Sequence, residues 1–123
     1  MMAIPKISDA EFEVMKVVWE KSPVTANEIV ERLAASSDWQ DKTIRTLINR
    51  LLKKAALSHE ARGKVYYYSP AVTREECQRR ESESFLERVF DGSVMPMLAY
   101  FAQSDKLSRE DVEKLKDILD RGG

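Results

Sequence analysis

Four candidate helix starts along this chain place a serine or threonine three residues ahead of an acidic side chain: Ser8 and Glu11, Thr25 and Glu28, Thr73 and Glu76, Ser108 and Asp111. Each pair is a helix-start signal. The hydroxyl accepts from the amide three residues on, and the carboxylate reaches back to the cap's own amide. A chain punctuated in this way is expected to be mainly α, built from short helices. The first should run from Ser8 to about Lys21 with Val14, Met15, Val18 and Trp19 inward, and Pro23 follows it. The second should open at Thr25 with Ile29, Val30 and Leu33 inward. A polar turn over Ser36–Gln40, containing Trp39, then leads to a helix beginning near Asp41 or Lys42, where Asp41 suits the N-cap or the helix dipole.

That third helix carries the functional signal. Ile44, Leu47, Ile48, Leu51 and Leu52 fall at i, i+3, i+4, i+7 and i+8, the apolar stripe of one amphipathic helix. At about 100° per residue the opposite face collects Lys42, Thr46, Asn49 and Lys53, with Thr43 and Arg50 beside them and no carboxylate among them. Cations and short hydrogen-bonding side chains are the types that reach phosphates and base edges in a major groove. A merely solvated face would usually mix both signs, so the stretch reads as a DNA-recognition helix.

Ala55–Leu57 closes this helix, and Leu57–Glu60, Ala61-Arg62-Gly63 and Lys64–Ser69 read as an antiparallel β-hairpin ended by Pro70. Gly63 supplies the permissive turn position. Three helices and then a hairpin is the order of a winged helix-turn-helix, here set at residues 1–71. Residues 72–123 should form a small all-α domain. Its long helix runs from Thr73 to about Phe90 and is followed by a break at Asp91-Gly92-Ser93. An apolar helix over Val94–Ala102 and a last one carrying Val112, Leu115, Ile118 and Leu119 complete it. About 50 residues rarely bury so many large apolar side chains alone. Phe85, Leu86, Val89, Phe90, Met95, Leu98, Phe101, Leu115, Ile118 and Leu119 are therefore expected to pack in a homodimer, which would also place two recognition helices on two half-sites.

Charge agrees with this division of labour. The net charge of −1 hides a local excess: residues 42–64 hold Lys42, Arg45, Arg50, Lys53, Lys54, Arg62 and Lys64 against Glu60 alone. The candidate DNA contacts are thus Lys42, Thr43, Arg45, Thr46, Asn49, Arg50 and Lys53 on the helix, and Arg62 and Lys64 on the wing. One cysteine, Cys77, and one histidine, His59, offer no disulfide and no zinc site, and no cofactor or metal is expected. Catalysis finds no Ser/His/acid set and no Gly-rich phosphate loop, so an enzyme is not expected. Apolar runs fall far short of about 18 residues, and Met1–Ser8 lacks an apolar core, so the expectation is a cytoplasmic protein without membrane insertion.

Ile7–Met15, Trp19, Trp39 with Lys42–Thr46, Arg50-Leu51, Lys53-Lys54, Gly63–Val65 and Tyr68–Pro70 together resemble the BlaI/MecI penicillinase-repressor family, as do Phe85-Leu86 and Leu107-Ser108 further on. The resemblance implies a bacterial repressor with an N-terminal winged helix and an intertwined C-terminal dimerisation domain. Such repressors bind double-stranded palindromic operators ahead of β-lactamase or related resistance genes. Its recognition residues carry over to Lys42, Thr43, Thr46 and Arg50, and its wing contacts to Arg62 and Lys64. It also implies a membrane sensor-protease partner that signals cleavage of an Asn-Phe bond; Tyr100-Phe101 stands at that position, a departure that argues against this route of induction. Relatives carry Gly where the recognition helix ends, and this chain has Ala55. The cysteine cluster of the copper-responsive relatives is absent. The rival reading is a winged helix that docks another protein, which would leave an apolar patch on the third helix.

Overall fold

The computed structural model describes residues 4–122, so the first three positions of the Met1–Ser8 segment lie outside the described residues. The element order is α1 (Asp9–Glu20), β1 (Val24–Thr25), α2 (Ala26–Ser36), α3 (Asp41–Lys53), β2 (Leu57–Arg62), β3 (Val65–Pro70), α4 (Arg74–Phe90), α5 (Val94–Gln103) and α6 (Arg109–Asp120). Three of the four start signals form complete capping boxes. At Ser8, Thr73 and Ser108 the hydroxyl accepts from the amide three residues on, and the acidic side chain accepts in return. At Thr25 only the hydroxyl half forms, at 3.2 Å from the Glu28 amide.

The sheet has one strand more than the hairpin expected from sequence. Val24 and Thr25 pair with Tyr68 and Tyr67, so the order is β1-β3-β2, all antiparallel. Two residues, Val24 and the helix cap Thr25 after Pro23, carry no periodicity, which is why β1 is invisible in the sequence. β2 and β3 pair from Leu57 opposite Pro70 to Arg62 opposite Val65, leaving Gly63-Lys64 as a two-residue turn. Gly63 sits at φ +67° in the first central position, as a type II′ turn requires.

Helix α3 ends on strain. The amides of Ala55 and Ala56 donate to the carbonyls of Leu52 and Leu51, both at 3.0 Å, the paired closure of a Schellman motif. Ala55 takes the left-handed position at φ +62°. Its Cβ makes that conformation costly, by about 1–2 kcal/mol. The following Ala56 is fully buried beside the fully buried Leu51, and this packing holds the ending in place.

The chain divides into two compact units, Met1–Glu81 and Ser82–Gly123. The first owns the core. Val14, Met15, Val17 and Val18 of α1, Ile29 and Leu33 of α2, Ile44, Leu47, Ile48 and Leu51 of α3, and Leu57 and Tyr68 of the sheet form one buried cluster. Trp39 packs against it, as does Trp19, whose indole N–H donates to the Val72 carbonyl at 2.9 Å. In the second unit no described residue is fully buried. Among the described residues no helix is long and apolar enough to cross a membrane.

Candidate nucleic-acid interface

The apolar stripe of α3 is buried as its spacing demands, with Ile44, Leu47, Ile48 and Leu51 inside. That burial turns Lys42, Thr43, Thr46, Asn49, Arg50 and Lys53 outward, and all six are exposed. They form a continuous cationic and hydroxyl-bearing surface. Thr46 donates its hydroxyl back to the Lys42 carbonyl at 2.9 Å, which leaves its methyl group and oxygen lone pairs to face outward.

Arg45 stands apart from these six. It lies at the edge of the apolar arc, half-buried, and its guanidinium donates to the Asp41 carboxylate one turn back and to the Asn27 side-chain oxygen Oδ1 on α2. Asp41 therefore spends its carboxylate on this bridge rather than on a cap, and Gln40 takes the N-cap position without a side-chain bond. Lys54 is turned away in the same manner at the other edge. Its ammonium donates to Glu11 and to the Lys6 carbonyl, at 2.5 and 2.9 Å. Glu11 is only 2% exposed. Burial pushes its carboxyl up, but the Lys54 ammonium and the Ser8 amide and hydroxyl outweigh this and hold it below the ordinary value of 4.5.

On the hairpin, Lys64 sits at the turn, free in solvent. Arg62 lies over the Tyr67 ring, 4.6 Å from its centroid, with Glu60 at 3.6 Å. His59 meets the edge of exposed Tyr66 at 4.9 Å, while Tyr68 is buried below. Arg62 and Lys64 thus put two further cations on the hairpin, Arg62 backed by the Tyr67 ring and Lys64 at the turn. Sequence reasoning missed Asn27 and Glu11 as partners. The helical wheel does place Arg45 and Lys54 at the two edges of the stripe, and that was the available signal.

Of the apolar positions in the second unit, Phe85, Val89, Met95, Ile118 and Leu119 are exposed, and Leu86, Phe90, Leu98, Phe101 and Leu115 are half-buried. Tyr100-Phe101 lies inside α5, with the Tyr100 carbonyl taking the Ser104 amide at 3.1 Å. Cys77 is buried, and burial followed by Glu76 and Glu81 raises its thiol above the ordinary value. Among the described residues no group of three or more His, Cys, Asp or Glu side chains is placed to hold a metal ion.

Three helices, a short sheet, an exposed basic face on the third helix and a basic hairpin define a winged helix-turn-helix protein. Residues 7–121 match the model of the penicillinase repressor family. The chain is 42% identical over 120 residues to the penicillinase repressor of Bacillus licheniformis, covering 98% of this chain and 94% of the relative. It is 34% identical over 116 residues to the methicillin resistance regulatory protein MecI of Staphylococcus aureus strain N315, covering 94% of each. The solution structure of the monomeric form of B. licheniformis BlaI in complex with the blaP half-operator superposes with a TM-score of 0.55 at 46% identity, over 62% of this chain and 93% of that one. The chain belongs to the penicillinase repressor family.

Proposed function

We propose that this chain is a DNA-binding transcriptional repressor of resistance genes, acting as a homodimer on a palindromic operator through α3 and the β2–β3 wing. It is a regulator and not an enzyme. The observation that carries the reading is the outward face of α3, six donors and cations without a carboxylate, presented by a helix whose other side is locked in the core. Its 46%-identical relative was solved bound to a half-operator, and of the relatives that span nearly the whole chain one is a penicillinase repressor by name and another a methicillin resistance regulatory protein.

Within this reading Lys42, Thr43, Thr46, Asn49 and Arg50 face base edges and phosphates of the major groove, and Lys53, Arg62 and Lys64 neutralise phosphates. Arg45 takes the role of a brace between α2 and α3. Residues 1–71 carry the DNA-binding function and 72–123 self-association. The exposed apolar residues of α4, α5 and α6 support the latter, because Ser82–Gly123 has no buried residue among those described and needs a partner to cover them. With Tyr100 at the position of the implied cleavage, derepression uses a different bond, a different signal, or none. The Tyr100-Phe101 peptide is wound into α5, and Tyr100 replaces the asparagine of the relatives' site. The test is selection of duplexes from a random pool by the full chain, followed by footprinting of the enriched sequence. Enrichment of a dyad-symmetric site covered on both half-sites is expected; enrichment of nothing would refute the reading and favour a protein-docking winged helix.

A further inference from the structure

A recognition helix reads bases only if its roll about its own axis is fixed. With side chains an α-helix has a radius of about 5–6 Å, so a roll of about 10° carries a side-chain tip by about 1 Å. That displacement takes a hydrogen bond of about 2.9 Å out of range. The apolar stripe of α3 packs into the core, and each edge of the stripe adds a charged, directional tether to that packing. On one edge Arg45 reaches Asn27 of α2. On the other, Lys54, the C-cap residue of α3, reaches Glu11 of α1 and the Lys6 carbonyl. Glu11 is itself immobilised. It is 2% exposed, and the oxygen that takes Lys54 also accepts from the Ser8 amide at 2.8 Å, so one carboxylate closes the α1 cap and anchors the end of α3.

We infer that Glu11 and Lys54 are positioning residues for operator recognition: an ion pair, buried on its Glu11 side and a third in water on its Lys54 side, that sets the roll of α3 from below, without touching DNA. The inference rests on the DNA-binding reading above. It separates Lys54 from the basic face to which its sequence neighbours belong, and gives Glu11 a role beyond capping.

The experiment uses the full chain, a duplex that the wild type selects from a random pool, and a scrambled duplex of equal length. Titrations are run at several salt concentrations with Glu11→Gln, Lys54→Met and the double variant, each checked for folding by its melting temperature. Gln keeps the acceptor for the Ser8 amide, and the double variant removes both charges, so neither leaves an unpaired buried ion. Positioning predicts that each single variant loses about tenfold in affinity for the selected duplex, within the range for groups coupled in one network. Affinity for the scrambled duplex and the salt slope stay unchanged, and the double variant loses no more than the worse single one. A Lys54 that contacts phosphate would instead flatten the salt slope by about 0.9 in Lys54→Met alone, which would overturn the inference. So would variants that melt earlier yet bind the selected duplex as the wild type does. A wild type that enriches no duplex would overturn both this inference and the reading on which it rests.

Discussion

Ala55 and Glu11 show how much of this fold is decided at single side chains. Ala55 holds a left-handed φ of +62° at the Schellman ending of α3, a conformation glycine adopts freely. Ala55→Gly is therefore expected to raise unfolding free energy by about 1 kcal/mol in chemical denaturation, despite the added freedom of the unfolded chain. A decrease would show that the helix ending is not under strain. Glu11 has a folded-state carboxyl held below its ordinary value of 4.5 by Lys54 and Ser8, against the opposing effect of burial. The sign follows directly: the unfolded chain binds the proton more readily, so this stabilisation is complete above the unfolded value and fades as pH falls through the folded one. Melting temperature should drop as pH is lowered below about 4.5, and Glu11→Gln should flatten that part of the profile. Lys54→Met should cost about 3 kcal/mol at neutral pH, the low end for breaking a buried pair, since Lys54 keeps a third of its side chain in water.

Helix α3 was legible in the sequence because both of its faces follow one period, apolar residues at i, i+3, i+4 and i+7 and polar ones opposite. Four start signals made the helix beginnings equally plain, and three of them close as full capping boxes. What stayed hidden is tertiary. Strand β1 exists only because Val24 and Thr25 meet Tyr68 and Tyr67, residues more than 40 positions away in the chain. The basic count over residues 42–64 likewise could not separate free cations from paired ones, because charge along a sequence does not say which cations are committed to neighbours. Lys54 is committed to Glu11, and Arg45 to Asp41 and Asn27. Those assignments separate the variants of one helix. Arg50→Ala is expected to cost roughly 1–3 kcal/mol in operator affinity, concentrated at one base position if its guanidinium is bidentate to guanine. Lys53→Ala should weaken all duplexes alike and reduce the salt slope by about 0.9. Equal losses on every sequence for Arg50→Ala would reassign it to phosphate.

For the molecule as a whole, the two compact units differ in kind. Among the described residues one has a core of seventeen buried apolar side chains and the other has none. Met95 at 71% exposure and Leu119 at 65% are the most open of its large apolar residues. If they face a second copy, Met95→Glu should shift the sedimentation coefficient toward the monomer and weaken binding to a two-half-site duplex far more than to a single half-site. An unchanged sedimentation profile would remove Met95 from the interface. The central claim, that the outward face of α3 reads DNA, is tested most directly by titrating wild type and Arg50→Ala against the selected duplex over a range of salt. The account predicts tight wild-type binding, with log affinity falling by about 0.9 per phosphate neutralised, and a loss confined to the selected sequence in the variant. Salt-insensitive binding, or identical affinity of the variant for that duplex, would contradict it.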